Sequence, residues 1–417
     1  MRKFNGSLLV LSMLAAIVPC TARAQTLAIT NAKIYTATEQ GVLANASIVM
    51  EAGKIIAINP ENIEADTVID AKGGVLTPGL IGVMNALGLV EIELEAITQD
   101  NKDKKADMTF DPSLAFNPKS TAIPFARKGG ITRNVVAASA EKDSIFAGQT
   151  ITVELTGGWN SIIATEQALF LKLGAVKEGS RILGMQMLKN KLEERQQAVD
   201  DTTKKATANA LKAGTAREDA VIDAVLAGKK TLIVSVDRGS DIIQLIKLKQ
   251  RFGLNLVLLG AADAISVAPL LAKENIPVVM NAMHNLPESF DSLNNASNNA
   301  AKLTQAGVKV ILTTGGDAHG IYALRYSAGL AVANGMDYSA AMRAVTANAG
   351  DVFQLNAGRI AVGKFADVVL WNGDPFEYSS HVQRMWIAGE EQSLESRQDL
   401  LRDRYMTKSS MPAAYFK

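Results

Sequence analysis

The 417-residue chain contains only three histidines, His284, His319 and His381, and one cysteine, Cys20. A metal cluster of four histidines, or of several cysteines and histidines, therefore cannot be built from one copy. The remaining reactive residues sit just after apolar runs. Asp317 and His319 lie in Gly315-Gly316-Asp317-Ala318-His319-Gly320, and His284 lies in Met283-His284-Asn285-Leu286-Pro287. Asp237 and Asp241 follow TLIVSV, and Asp263 follows NLVLLG. Two histidines and a carboxylate can hold one divalent metal with positions left open. In that chemistry Asp317 is the candidate acid/base group. The plainer alternative makes these residues turn formers and helix caps, with Asp241 before IIQLIKL the N-cap of a helix. Gly315-Gly316 either lets backbone N–H groups approach an anion or is a flexible turn. Trp159, in Thr156-Gly157-Gly158-Trp159, is a candidate pocket edge, whereas Trp371 and Trp386 read as sheet core.

The elements that must position these residues are legible as a repeat. Apolar runs of about five residues recur at 80–86, 132–137, 168–173, 231–236, 255–259, 277–281 and 309–314, separated by helical patterns such as DIIQLIKLKQRF and SVAPLLAKE. Uniformly apolar runs are what parallel strands buried on both faces require. Over residues 78–356 this predicts an α/β fold, a (β/α)8 TIM barrel, with the reactive residues at the open C-terminal ends of its strands. No glycine-rich dinucleotide loop follows the first strand, which counts against an open doubly wound sheet. Alternation puts Lys172 on the same face as Ala168 and Phe170. Short strands in 25–77 and again in 357–390 predict a small β-sandwich domain formed by both chain ends. The polar stretch 182–227 has helical spacing and mixed charge, so it reads as a solvated helical pair or an oligomer-forming surface. Residues 391–417 read as a charged helix followed by a tail.

Hydrophobic residues make up 48% and charged residues 20%, with a formal net charge of +1. That balance excludes a disordered chain and offers no basic stripe for nucleic acid. Residues 1–24 have the build of a secretion signal: Arg2 and Lys3, an apolar run from Leu8 to Val18, and Ala22-Arg23-Ala24 as a cleavage site. The run is too short to span a bilayer, and no later segment is long and apolar enough, so no transmembrane helix is expected. Cleavage near Ala24 leaves a periplasmic or secreted chain without cysteine, whose stability must come from its core.

Three stretches resemble the amidohydrolase superfamily, in particular its exported imidazolonepropionase-like and prolidase-like branch. They are VLTPGLIGVMNALGL (75–89), GVKVILTTGGDAHG with the YSAGLAVANGMDYSAAMRAVTANAGDVFQL that follows, and AGRIAVGKFADVVLWNGDPFE (357–377). The resemblance implies hydrolysis of dipeptide, cyclic amide or other C–N bonds by water activated on one or two zinc ions. It also implies oligomers. The family pattern after Pro-Gly-Leu-Ile is Asp-x-His-x-His, but the matching positions here are Gly82, Met84 and Ala86. The strand-five and strand-six histidine positions fall near Ser235 and Gly260, and the strand-eight aspartate position falls at Gly315. Lys172 is the candidate for the strand-four lysine. His284, His319 and Lys172 are thus the remaining metal candidates, and Ser235, Asp237 and Trp159 the substrate-binding ones. With Met84, Ala86 and Gly260 at its mouth, the barrel is expected to hold at most one divalent metal and to be catalytically degenerate. The alternatives are a reduced one-metal hydrolase, or a scaffold that binds a small molecule or pairs with an active homologue.

Overall fold

The computed structural model describes residues 25–139, 144–173, 180–202 and 213–406. The expected signal, residues 1–24, and the end of the expected tail lie outside the described residues. Strands of alternating burial open the chain: β1 (Leu27–Tyr35), β2 (Val42–Glu51), β3 (Lys54–Ile58), β4 (Thr67–Asp70) and β5 (Val75–Pro78). Ala52-Gly53 turns β2 back onto β3, both residues at positive φ, the region glycine adopts without strain.

The uniformly apolar runs become a second sheet. It comprises β6 (Leu80–Asn85), β7 (Ile131–Ala137), β8 (Phe146–Glu154), β9 (Ile162–Ala164), β10 (Ala168–Lys172), β11 (Thr231–Val236), β12 (Leu256–Gly260), β13 (Val278–Met280) and β14 (Val310–Leu312). Its strands run in the order β14-β13-β12-β11-β10-β8-β7-β6, with β9 on β8. The two ends meet where Thr313 Oγ1 donates to Val83 O at 2.7 Å and Ala86 N to Gly316 O at 3.1 Å. Ile81, Val83, Val135, Phe170, Ile233, Val257, Val279 and Ile311 fill the interior, with Phe353 packed against them. The barrel is therefore a packed core, open to chemistry only at its rim.

One strand departs from the parallel expectation. β8 pairs antiparallel with both β7 and β10. The run was not apparent in the sequence because Gln149, Thr150 and Thr152 interrupt it, although all three are buried. A parallel neighbour needs a crossover of a dozen residues or more, whereas an antiparallel one can return directly.

The chain then completes the first sheet with β15 (Val368–Trp371), β16 (Val382–Ile387) and β17 (Glu390–Glu391). β15 lies antiparallel against β5, so the two chain ends share one sheet. Trp371 and Trp386 are fully buried, as expected of sheet core. The Trp371 indole N–H donates to Thr77 Oγ1 at 2.9 Å. Its ring lies so close to Gly130 that a Cβ there would come within 2.5 Å of it, so glycine lets the sheet seat on the barrel wall. Beside it, Arg133 of β7 and Asp367, both nearly inaccessible, form a two-point ion pair (Nε–Oδ2 2.5 Å, Nη2–Oδ1 3.2 Å).

The polar stretch forms helices Arg181–Thr202 and Ala213–Leu226, which pack together. Arg195 bridges to Asp219 (2.9 Å) and Asp223 (2.7 Å), which explains how so polar a pair holds together. Helix Arg397–Met406 is tied to helix Ala122–Lys128 by Lys128 Nζ–Asp399 at 2.7 Å. That ammonium, then Ser396, holds the Asp399 carboxyl well below the usual carboxylate range.

Candidate functional site

The C-terminal ends of β6, β10, β11, β12, β13 and β14 define the mouth. Parallel register places Lys172 of β10 opposite Ser235 of β11, and Val236 opposite Gly260 of β12. Lys172 lies on the face of Ala168 and Phe170, which are barrel-interior residues, and its side chain emerges into solvent. Two residues past Ser235, Asp237 Oδ1 accepts from Ala262 N at 3.3 Å. Burial pushes the Asp237 carboxyl up, Asp291 and Asp263 push the same way, and the Ala262 N–H and Lys172 oppose them.

Asp317 and His319 stand in the loop after β14, and the loop after β6 brings Glu93 to them. One ligand atom from each of the three lies within 4.8 Å of the others. Asp317 Oδ1 accepts from His319 N at 2.6 Å. The hydrogen bond with Asp317 raises the Glu93 carboxyl, aided by burial. For Asp317 burial acts upward but is outweighed by the Glu93 hydrogen bond and the His319 and Gly320 N–H groups, so it falls below its usual value. The contact between the two carboxyls thus sets their acidities apart, with Glu93 the weaker acid of the pair. Glu93 escaped sequence reading because it lies in the irregular loop after β6, with no motif near it.

The other candidates are dispersed. His284 faces Glu288 of its own loop at 3.8 Å and does not join Asp317 and His319. Asp263 is structural: it accepts from Gly239 N at 2.9 Å, at the start of helix Gly239–Phe252, and from Asn294 Nδ2 at 2.6 Å. Asp241 is not the N-cap of that helix. The N-cap is Arg238, and Asp241 lies in the first turn, where its charge favours the helix dipole. Trp159 is corrected most sharply. Because β8 runs antiparallel, the loop after Glu154 emerges at the closed end of the barrel, so Trp159 cannot edge the mouth. It is 76% exposed, with Lys119 over its ring.

The residues at the mouth do not fit the family's zinc centre. A Cβ at Gly82 would lie 2.3 Å from Asn134 Oδ1, and Asn134 is locked in a reciprocal amide pair with Asn85 (2.8 Å both ways). Met84 points into the apolar interior cluster, and Ala86 is a buried methyl. At Gly260 (φ 85°) a Cβ would lie 2.8 Å from Asp237 Oδ1, so the carboxylate already fills that space. Gly315 presents no side chain. A divalent cation held among an amide pair, a thioether and methyls would lack the donors that offset its dehydration.

Residues 218–394 match the amidohydrolase family. No curated protein matches in sequence. Among solved structures, an amidohydrolase from Thermotoga maritima superposes with TM-score 0.79 at 22% identity, covering 88% of this chain and 99% of that one. A prolidase complexed with N-methylphosphonate-L-proline gives 0.54 at 15% identity, covering 88% and 99%. The L-hydantoinase of Arthrobacter aurescens gives 0.52 at 12%, covering 89% and 97%. Over residues 218–394 the chain is thus similar in sequence to the amidohydrolase family, and along nearly the whole described chain it shares the fold of solved amidohydrolases.

Proposed function

We propose that this chain is a catalytically degenerate amidohydrolase, an exported barrel-and-sandwich scaffold that does not hydrolyse C–N bonds through metal-activated water. The observation that carries this reading is the filling of the mouth. The space at position 82 belongs to the Asn85–Asn134 pair, the space at 260 to Asp237, and Met84 packs inward. What remains offers Lys172, Ser235 and Asp237 as polar contacts for a small ligand. The fold does not by itself supply an activity.

The chain purified from the periplasm without chelators should contain less than about 0.1 divalent metal per molecule, where a structural or catalytic site would give near one. It should leave dipeptides and hydantoins unhydrolysed, the classes that the prolidase and hydantoinase neighbours suggest testing. One observation favours a second reading, a one-metal hydrolase of C–N bonds: the approach of Glu93, Asp317 and His319 to within 4.8 Å. One metal per chain, lost in His319→Ala and Glu93→Gln, would establish that reading and overturn the first.

A further inference from the structure

The sheet formed by the two chain ends curls into a sandwich held shut along one seam. Ala366 N donates to Gly53 O at 2.8 Å, Gly389 N donates to Ala366 O at 3.0 Å, and Lys54 bridges antiparallel to Phe365. Beside this seam lies a cavity of about 720 Å³, inside the range of about 300–1,000 Å³ typical of small-molecule sites. Leu27, Met50, Phe365 and Trp386 form its apolar wall, and none of its lining residues lies at the barrel mouth. Trp386 is the unusual member. It is fully buried, Arg384 lies over its ring at 5.2 Å, and its indole N–H has no partner among the described residues. The other tryptophan of this sheet, Trp371, is equally buried and donates to Thr77 Oγ1. A buried donor left unpaired costs about 1–3 kcal/mol, so the wall holds one free hydrogen-bond donor that a ligand can answer.

The rim supplies charge of one sign. Glu51, Glu390 and Glu391 line the cavity, and Glu391 is paired with Arg384, whose Nε lies 2.7 Å from Oε1. Glu51 and Glu390 have no ion pair among the described residues. These carboxylates do not gather as metal ligands: among the described residues, three ligand atoms come that close together at Glu93, Asp317 and His319. An anion would be repelled at this rim, and a hydrocarbon would leave both the carboxylates and the indole N–H unanswered. We propose that the cavity binds a small organic ammonium, an amine with an apolar body and a carbonyl or hydroxyl oxygen. Its ammonium lies beside Glu51 and Glu390, its body against Leu27 and Met50, and its oxygen accepts from the Trp386 indole. The site is separate from the barrel mouth and does not depend on whether a metal is held there.

L-Leucinamide has all three parts and serves as the probe, titrated into the full purified, isotope-labelled chain and followed by the indole N–H signals in NMR. The tryptophans are Trp159, Trp371 and Trp386. Trp386→Phe assigns its signal by loss, and Trp159→Phe with Trp371→Phe assigns it by elimination. The expected result is a shift of the Trp386 signal with a Kd below about 1 mM. N-Acetyl-L-leucinamide, which lacks the charge, binds at least about tenfold more weakly. Glu51→Gln/Glu390→Gln weakens L-leucinamide binding by about tenfold, whereas Asp237→Asn at the mouth leaves it unchanged. A Trp386 signal unmoved at about 10 mM probe, equal binding of the acetylated amide, or loss of binding in Asp237→Asn instead of Glu51→Gln/Glu390→Gln would each overturn the proposal.

Discussion

Asp367→Asn tests what fastens the barrel to its sheet domain. Arg133 and Asp367 are 2% and 1% exposed, and the guanidinium is held by two contacts to the carboxylate. Arg133 also lies over the Phe365 ring, 4.6 Å from its centroid, and its remaining carboxylate partner is Glu154 at 3.7 Å. Burial raises the Glu154 carboxyl, against the pull of Arg133, so it is a poor substitute counter-charge. Asparagine preserves the shape and can still accept from Ala388 N, which donates to Asp367 Oδ1 at 2.8 Å, but it leaves Arg133 charged and buried. Stranding one member of such a pair costs about 3–5 kcal/mol, a third or more of a typical folding free energy of about 5–15 kcal/mol. The urea midpoint should fall by roughly 1–2 M. Arg133→Met added to Asp367→Asn removes the stranded charge and should recover most of the loss. A loss below about 1 kcal/mol in Asp367→Asn would refute the reasoning, because the pair would then be behaving as a solvated one.

Gly260→Ala should destabilise by about 1–2 kcal/mol, since residue 260 has φ 85° and its Cβ would meet Asp237 Oδ1 at 2.8 Å; thermal unfolding with and without Asp237→Ala separates backbone strain from contact. Asp237→Asn should stabilise the chain at neutral pH and not below the ordinary carboxyl range. The folded-state pKa is raised by burial, so stability is lost as pH rises from the unfolded value through the folded one; melting midpoints at pH 3.5 and 7 check this. Trp159→Ala should change stability by less than about 0.5 kcal/mol and leave any ligand bound at the mouth untouched, because Trp159 stands exposed at the opposite end; calorimetric titration of any ligand found checks the second part.

Uniform hydrophobicity was a reliable guide wherever a strand is flanked by helices. The runs at 231–236, 277–281 and 309–314 contain β11, β13 and β14, and the run at 255–259 falls on β12, which extends one residue further to Gly260. It failed at β8, where buried Gln149 and Thr152 find partners inside the protein: Thr152 Oγ1 reaches Gln167, and Gln149 takes the Lys230 ammonium. Sequence pattern reports transfer to an apolar medium and is blind to polar groups satisfied in place. That miss reversed a strand and carried Trp159 from one end of the barrel to the other. The absence of ligands was legible from three histidines and the letters Gly82, Met84 and Ala86. What replaced them was not, because the replacements come from elsewhere in the chain: Asn134 from β7 fills the space beside Gly82, and Asp237 from beyond β11 fills the space at Gly260. A site that had merely lost its ligands would leave cavities that a returned histidine could reoccupy. Here the neighbouring side chains have closed over two of the positions, so restoring the motif letters one at a time should cost stability before it gains a metal.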